Sequence, residues 1–209
     1  PNNANVNVTN IQPVIPIHIN PQTNIISRTI LPIISYGDPA PGINGQSGTG
    51  EVLQSFFYSP VEQTDGWTWG VGPVINAPTD NKEELGSGKW SAGPTGVVLK
   101  QKDGWTYGVL ANKLNSFAGQ SSRDYVDTSF VQPFLLYTTK TYTTFGINTE
   151  STYNAHNGPA EGWSSPVNLT VAQLAKIGGK PVQFLVGYTK YVSRPADTPT
   201  HGVRAQVTL

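Results

Sequence analysis

Four ionisable side chains, Arg28, Lys89, Glu150 and Arg204, fall in four separate strand-like stretches of the sequence. Each occupies the alternation phase opposite to the aromatic and branched apolar residues of its stretch. Asn76, Asn112, Asn148, Gln183 and Gln206 share that polar phase. One carboxylate among three cations is suited to charge-assisted hydrogen bonding and to discriminating solutes by charge. Two readings stay open. The group can line a polar interior that selects a solute, or it can form a structural network in which Glu150 offsets the cations and plugs the space.

Covalent chemistry finds little support in the remaining residues. The three histidines are His18, beside a short turn, and His156 and His201, in long polar segments; none has nucleophile-elbow or metal-pair spacing. A hydrolase of the serine–histidine type therefore lacks its signature. Cysteine is absent, which removes thiolate chemistry, disulfides and cysteine metal sites. No phosphate loop or dinucleotide fingerprint opens a helix. The expectation is a protein that is not an enzyme, with no cofactor and no metal. A net charge of zero gives no field for nucleic acid.

The elements that must position the polar residues are strands. In "GWTWGVGPVINAPTD", residues 66 to 80, Trp67, Trp69, Val71, Pro73, Ile75 and Ala77 alternate with Thr68, Gly70, Gly72, Val74 and Asn76. That is a period of two, with no charge between Trp67 and Thr79. Similar patterning predicts eleven strands, over 5–19, 23–36, 50–59, 66–78, 87–101, 104–117, 128–139, 141–154, 162–177, 180–192 and 201–209. Together they make one domain, 1–209, with an all-β fold.

Composition says what such strands face. Only 12% of the 209 residues are charged, about half the usual share, yet just 37% are hydrophobic. Short connections ("NPQTN", "KQKDG", "TKT", "IGGK") alternate with long polar ones ("GDPAPGINGQSGTG", "PTDNKEELGSG", "AGQSSRDYVD", "NAHNGPAEG", "SRPADTPTHG"). In an up-and-down sheet this collects short turns at one end and long loops at the other, the asymmetry of a transmembrane β-barrel. A repeat, "DGWTWGVGP" at 65–73 and "DGWTYGVLA" at 103–111, sets Trp67, Trp69, Trp105 and Tyr107 at the short-turn end. Trp90 and Trp163 belong near the other. Two interfacial aromatic girdles are expected from these six residues.

The predicted fold is an antiparallel up-and-down transmembrane β-barrel of about twelve strands, eleven of them visible. Counting directions back from the last strand puts Pro1 at the long-loop end. An upstream strand, a partner or a rearranged N-terminal segment is then expected to fill the remaining place. Pro13, Pro16, Pro32, Pro73, Pro94, Pro133 and Pro166 lie inside the strands, where bulges or missing ladder bonds must absorb them.

In order along the chain, "NIQPVIPI", "SRTILPII", "SFFYSP", "WGVGP", "LGSGKWSAGPTGVVLKQ", "WTYGVLANKLNSFAG", "QPFLLYTT", "NTESTYN", "WSSPVNLTVAQLAKIGGKPV" and "GVRAQVTL" resemble the bacterial outer-membrane family named after the meta-pathway of phenol degradation. The chain departs from the family pattern at Asn115, where tryptophan is usual, and at "GEVLQ", which replaces a Gly-Asp pair. The resemblance implies a Gram-negative outer-membrane barrel of about twelve strands that passes small, aromatic or apolar, molecules. Its partners would be outer-membrane lipids and a small-molecule solute, and assembly as a homo-oligomer or within a larger membrane complex is open. The alternatives are a plugged structural or interaction barrel without transport, and a soluble lipocalin-like ligand carrier.

Overall fold

The computed structural model describes residues 5–37, 45–62, 65–195 and 198–209. Among these, fourteen strands form a single antiparallel sheet: β1 (Val6–Ile11), β2 (Val14–Asn20), β3 (Thr23–Tyr36), β4 (Ser47–Thr49), β5 (Val52–Pro60), β6 (Trp67–Ala77), β7 (Lys89–Lys102), β8 (Trp105–Gly119), β9 (Asp127–Thr138), β10 (Thr143–Thr149), β11 (Ser151–Asn154), β12 (Trp163–Ile177), β13 (Lys180–Ser193) and β14 (His201–Thr208). The fold is all-β and up-and-down, with each long strand hydrogen-bonded to its neighbours in sequence. Among the described residues no helix is long and apolar enough to cross a membrane, which leaves crossing by strands open.

Fourteen strands occupy eleven places in the sheet. The stretch 5–19, predicted as one strand, is interrupted at Gln12–Pro13, and 141–154 is interrupted at Glu150. The register does not change across either break: Ile11 faces Leu31 and Val14 faces Arg28, while Asn148 faces Phe134 and Ser151 faces Val131. Pro13 has no N–H to donate, but its carbonyl accepts from Thr29 N at 3.1 Å and so bridges the first gap. The third addition, β4, lies in a segment predicted as loop and pairs with the end of β3.

Turn chemistry is local and was readable. Asp103 and Gly104 have φ of 52° and 83°, Gly178 and Gly179 have 58° and 81°, and Asp65 and Gly66 have 50° and 74°. Asp-Gly and Gly-Gly tolerate the left-handed pair that a two-residue hairpin needs. The repeat is thus a turn followed by an aromatic pair.

The prolines open the ladder where a glycine precedes them. Pro73 and Pro94 face each other across β6 and β7. The β5–β6 pairing has no partners between Val71 and Val74, and the β7–β8 pairing has none between Ala92 and Thr95. Gly72 and Gly93 let the neighbouring backbone close in: a Cβ at Gly72 would strike the Phe56 carbonyl, and one at Gly93 the Lys113 carbonyl. Neither obstacle is a movable side-chain end. Gly72→Ala should therefore lower stability by about 1–3 kcal/mol, measured as the shift in the denaturant midpoint. An unchanged midpoint would show that the strands can part there at no cost. Pro166 is handled differently, by a register shift against β13.

Alternation divides the sheet into two faces. One carries Trp67, Trp69, Val71, Trp105, Tyr107, Leu135, Tyr137, Phe145, Ile147, Leu169, Val171, Phe184, Val186 and Tyr188, exposed at roughly two-fifths or more. The other buries Ser55, Phe57, Val74, Ser91, Thr95, Asn168, Thr170 and Ala172 below a tenth. The sheet is rolled with this second face inside, since Glu150 meets Arg204 from β14 and feels the charge of Arg28 from β3, near the two ends of the strand path.

Among the described residues no ladder joins β14 to β1 or β2. Both edges run from the long-loop end to the short-turn end, so they cannot pair antiparallel with one another. Along this seam even inward side chains are exposed, Val14 at 54%. Residues 1–4, and with them the placement expected for Pro1, lie outside the described residues.

Candidate functional site

The inner face holds its polar groups in three connected sets. The first centres on Glu150, which occupies the break between β10 and β11. Arg204 Nη1 and Nη2 donate to its two carboxylate oxygens at 2.9 Å each, a bidentate pair, and Gln132 Nε2 donates to Oε1 at 3.4 Å. Glu150 and Arg204 are separated by β12 and β13, roughly 14 Å across a flat sheet, and by a further offset along the strands, since Glu150 lies level with Pro166, Tyr191 and Thr200. Curvature and long side chains bring them together. With the Gln12 amide turned to face it, Arg28 donates through Nε and Nη2 to the amide oxygen at 2.9 Å each. Arg28 lies within Coulombic reach of Glu150, without a direct bond between them.

A second set runs across β10, β12 and β13. Thr189 Oγ1 donates to Asn168 Oδ1 at 2.6 Å, and Asn168 Nδ2 donates to Asn148 Oδ1 at 2.7 Å. Asn168 is only 2% exposed. Replacing it with leucine leaves the Thr189 hydroxyl and the Asn148 carbonyl without this partner, at about 1–3 kcal/mol for each buried group left unsatisfied. Asn168→Leu should show a lowered thermal midpoint, whereas Gln206→Leu on the exposed edge strand should leave the midpoint within a degree or two. Equal effects at both positions would show that the ladder contributes nothing special.

The third set lies at the long-loop end. Glu51 Oε1 accepts from Ser87 N and Oγ at 2.7 Å each and from Gly88 N at 3.1 Å, while Oε2 accepts from Asn76 Nδ2 at 2.5 Å. A cavity of about 690 Å³ opens beside it, lined among others by Leu53, Leu114, Arg123, Tyr125 and His156. His156 stands 4.0 Å from the exposed carboxylate of Asp124. Among the described residues no three histidine or acidic side chains gather as metal ligands would.

Of the three cations expected near Glu150, Arg204 is the one that donates to it. Arg28, Glu150 and Arg204 share a region, whereas Lys89 lies at the long-loop end, where its amine makes no hydrogen bond or ion pair among the described residues. Alternation assigns a face but not a height along the strand, and Lys89 is the first residue of β7. Asn76 joins Glu51 rather than Glu150. Asn112 is inward and half-buried, opposite Phe130 and Thr95. His18 and His201 are exposed and stand apart from His156 and from these three sets.

The outer face is ordered by its aromatics. At the short-turn end Trp67 and Tyr107 meet edge to face with centroids 6.3 Å apart, Trp105 and Tyr137 lie at 4.8 Å, and Tyr58 and Trp69 at 6.2 Å. Lys100 extends over Trp67, 5.2 Å from its ring, and pairs with Asp65 at 2.8 Å. At the long-loop end Trp163 packs on Tyr153 at 5.0 Å, and Trp90 is exposed opposite Ala118. A feature that sequence reading missed is the outward ion pair of Lys113 with Asp127, supported by Ser129. Glu51, Gln12, Gln132 and Asn168 were missed as site residues as well. Each sits in the inward phase or at a break, the one signal that could have found it.

Comparison of the chain with protein-family models, with curated proteins and with solved structures finds no match.

Proposed function

We propose that this protein is a bacterial outer-membrane β-barrel that passes small solutes through a narrow, charge-lined interior. The observation that carries the reading is the inversion of faces. Large apolar and aromatic side chains are exposed on one side of the sheet, while the other carries hydroxyls, amides and a carboxylate–guanidinium pair beside the buried Phe57, Val74 and Ala172. In water such an outer surface would be an aggregation liability. Against lipid it is what the solvent demands.

Dimensions support the same reading. Trp90 stands level with Ala77, ten residues from Trp67 along β6. Ten residues span roughly 33 Å along a strand, or about 25 Å of height at a tilt near 40°, the thickness of the apolar band of such barrels. Lys113 and Asp127 fit this frame because Asp127 lies ten residues beyond Tyr137 along β9, at the upper edge of the band. There a lysine amine reaches towards headgroups while its stem stays dry.

The Glu150–Arg204 pair would narrow the passage and, with Arg28, favour anionic or neutral solutes. A second reading has a specific observation behind it. Val74, Ser91, Ser55 and Asn168 are inward yet at most 2% exposed, as in a filled interior. That favours a plugged barrel without transport. Single-channel recording in a planar bilayer separates the two. Discrete conductance steps with anion preference support passage; a silent, correctly inserted protein supports the plug.

A further inference from the structure

We infer that the β6–β7 loop, residues 78–88, folds into the mouth of the barrel as a gate over the cavity at the long-loop end, and that Glu51 is the residue that latches it. The inference rests on the barrel reading above. Its observations are separate from those that carry that reading.

A polar loop at the end of a sheet ordinarily projects into solvent. This one turns inward. Leu85 is 7% exposed and sits over Gly48 and Gly50, where added Cβ atoms would come within 2.8 Å of Leu85 Cδ1 and within 2.9 Å of Pro32 Cγ respectively. Pro32 and Ile34 are on the inward phase of β3, so Leu85 is pressed against the inner wall. Glu51 is also inward, and its carboxylate gathers three donors from Ser87 and Gly88 at the far end of the loop. From the β8–β9 side Arg123 donates to the Gly86 and Ser87 carbonyls, and Gln120 N donates to Gly88 O at 3.1 Å. On the opposite side Asn81 exchanges hydrogen bonds with the Thr49 backbone, and Lys82 Nζ donates to Gln46 at 2.8 Å.

Ser87, Glu51, Leu53 and Leu114 all line the 690 Å³ cavity, Leu53 and Leu114 from the inward phase of β5 and β8. Ser87 is thus the point at which the loop meets the cavity. The loop's hold is a set of discrete contacts in place of a continuous ladder; among them the Glu51 carboxylate takes three hydrogen bonds from Ser87 and Gly88, and Leu85 is the buried apolar seat. An element held by discrete side-chain contacts can exchange a seated and an open arrangement, and anything that competes for the Glu51 oxygens or for the Leu85 seat shifts it towards the open one.

The chain lacks cysteine, so Leu114→Cys gives one thiol beneath the gate. Its labelling by a charged, water-soluble thiol reagent reports opening in the folded protein, whether or not the barrel conducts. In that background Glu51→Ala should raise the labelling rate about tenfold or more, as expected for the loss of several charge-assisted hydrogen bonds. Glu51→Gln, which keeps one acceptor oxygen, should fall between, and Glu62→Ala, at the short-turn end, should match the parent. Leu85→Ser tests the apolar seat and should raise the rate as well. Rates within twofold of the parent in folded Glu51→Ala and Leu85→Ser overturn the gate, and so does failure of both variants to fold, since the loop is then structural. Faster labelling with no conductance in any variant keeps the gate and removes the transport reading; conductance with unaltered labelling does the reverse.

Discussion

Glu150→Gln should convert the interior from a balanced to a positively biased one, and its effect on ion selectivity should be the largest of any single inward substitution. The wild-type carboxylate accepts both arms of Arg204 and lies in the field of Arg28. Glutamine fills the same volume, accepts through one oxygen only and carries no charge. Two guanidinium groups then face the passage without a compensating anion, and anions should be favoured several-fold, as rings of basic side chains do in anion pores. Stability should fall by about 1–3 kcal/mol, since the pair is partly solvated and its hydrogen bonds are charge-assisted. Arg204→Gln should move selectivity the other way. The double variant should be more stable than the sum of the single losses implies, because the two side chains interact directly. Reversal potentials in a salt gradient and unfolding in detergent read both quantities. If neither changes in Glu150→Gln, the carboxylate does not control the interior.

Val71→Arg should be the most damaging substitution on the outer face, and only in lipid. Val71 is 51% exposed, lies four residues inside the Trp67 girdle and is opposite Gly96. A longer side chain therefore has open surface to extend into. In water an exposed change of this kind moves stability by at most about 0.5 kcal/mol. At the middle of an apolar band an arginine costs about 2–4 kcal/mol. Equilibrium folding into phospholipid vesicles should show that larger loss, with Gln101→Arg, near the short turn, as the neutral comparison. Equal small effects at both positions would remove the bilayer from the account.

The predicted strands were legible because their determinants are local. Asp103–Gly104 and Gly178–Gly179 announce hairpins, and Trp67, Trp69 and Val71 declare a face by their spacing alone. Height was less legible than face. Lys89 and Glu150 share a phase, yet Lys89 belongs with the long-loop end, and no alternation rule distinguishes the two. The Glu150–Arg204 pair was anticipated as a possibility of sign and phase, but its geometry depends on curvature across β12 and β13. Residues 78–88 read as a solvated loop. Their inward turn rests on Glu51, twenty-seven or more residues earlier, and long-range pairing of that kind leaves no periodic trace. The Gly-Pro pairs at 72–73 and 93–94 looked like obstacles to a sheet; the glycine in each pair is what lets the strands absorb its proline.

The claim that decides the rest is that the aromatic-banded face meets lipid. Single spin labels introduced at residues 71 and 186, both outward and far from the turns, can be compared with a label at Lys102 beside the short turn after reconstitution into vesicles. The account predicts strong relaxation of the first two by oxygen and weak relaxation by a water-soluble nickel complex, with the order inverted at residue 102. Labels at 71 and 186 that the nickel complex relaxes as strongly as it does the label at 102 would place this face in water and contradict the membrane barrel outright.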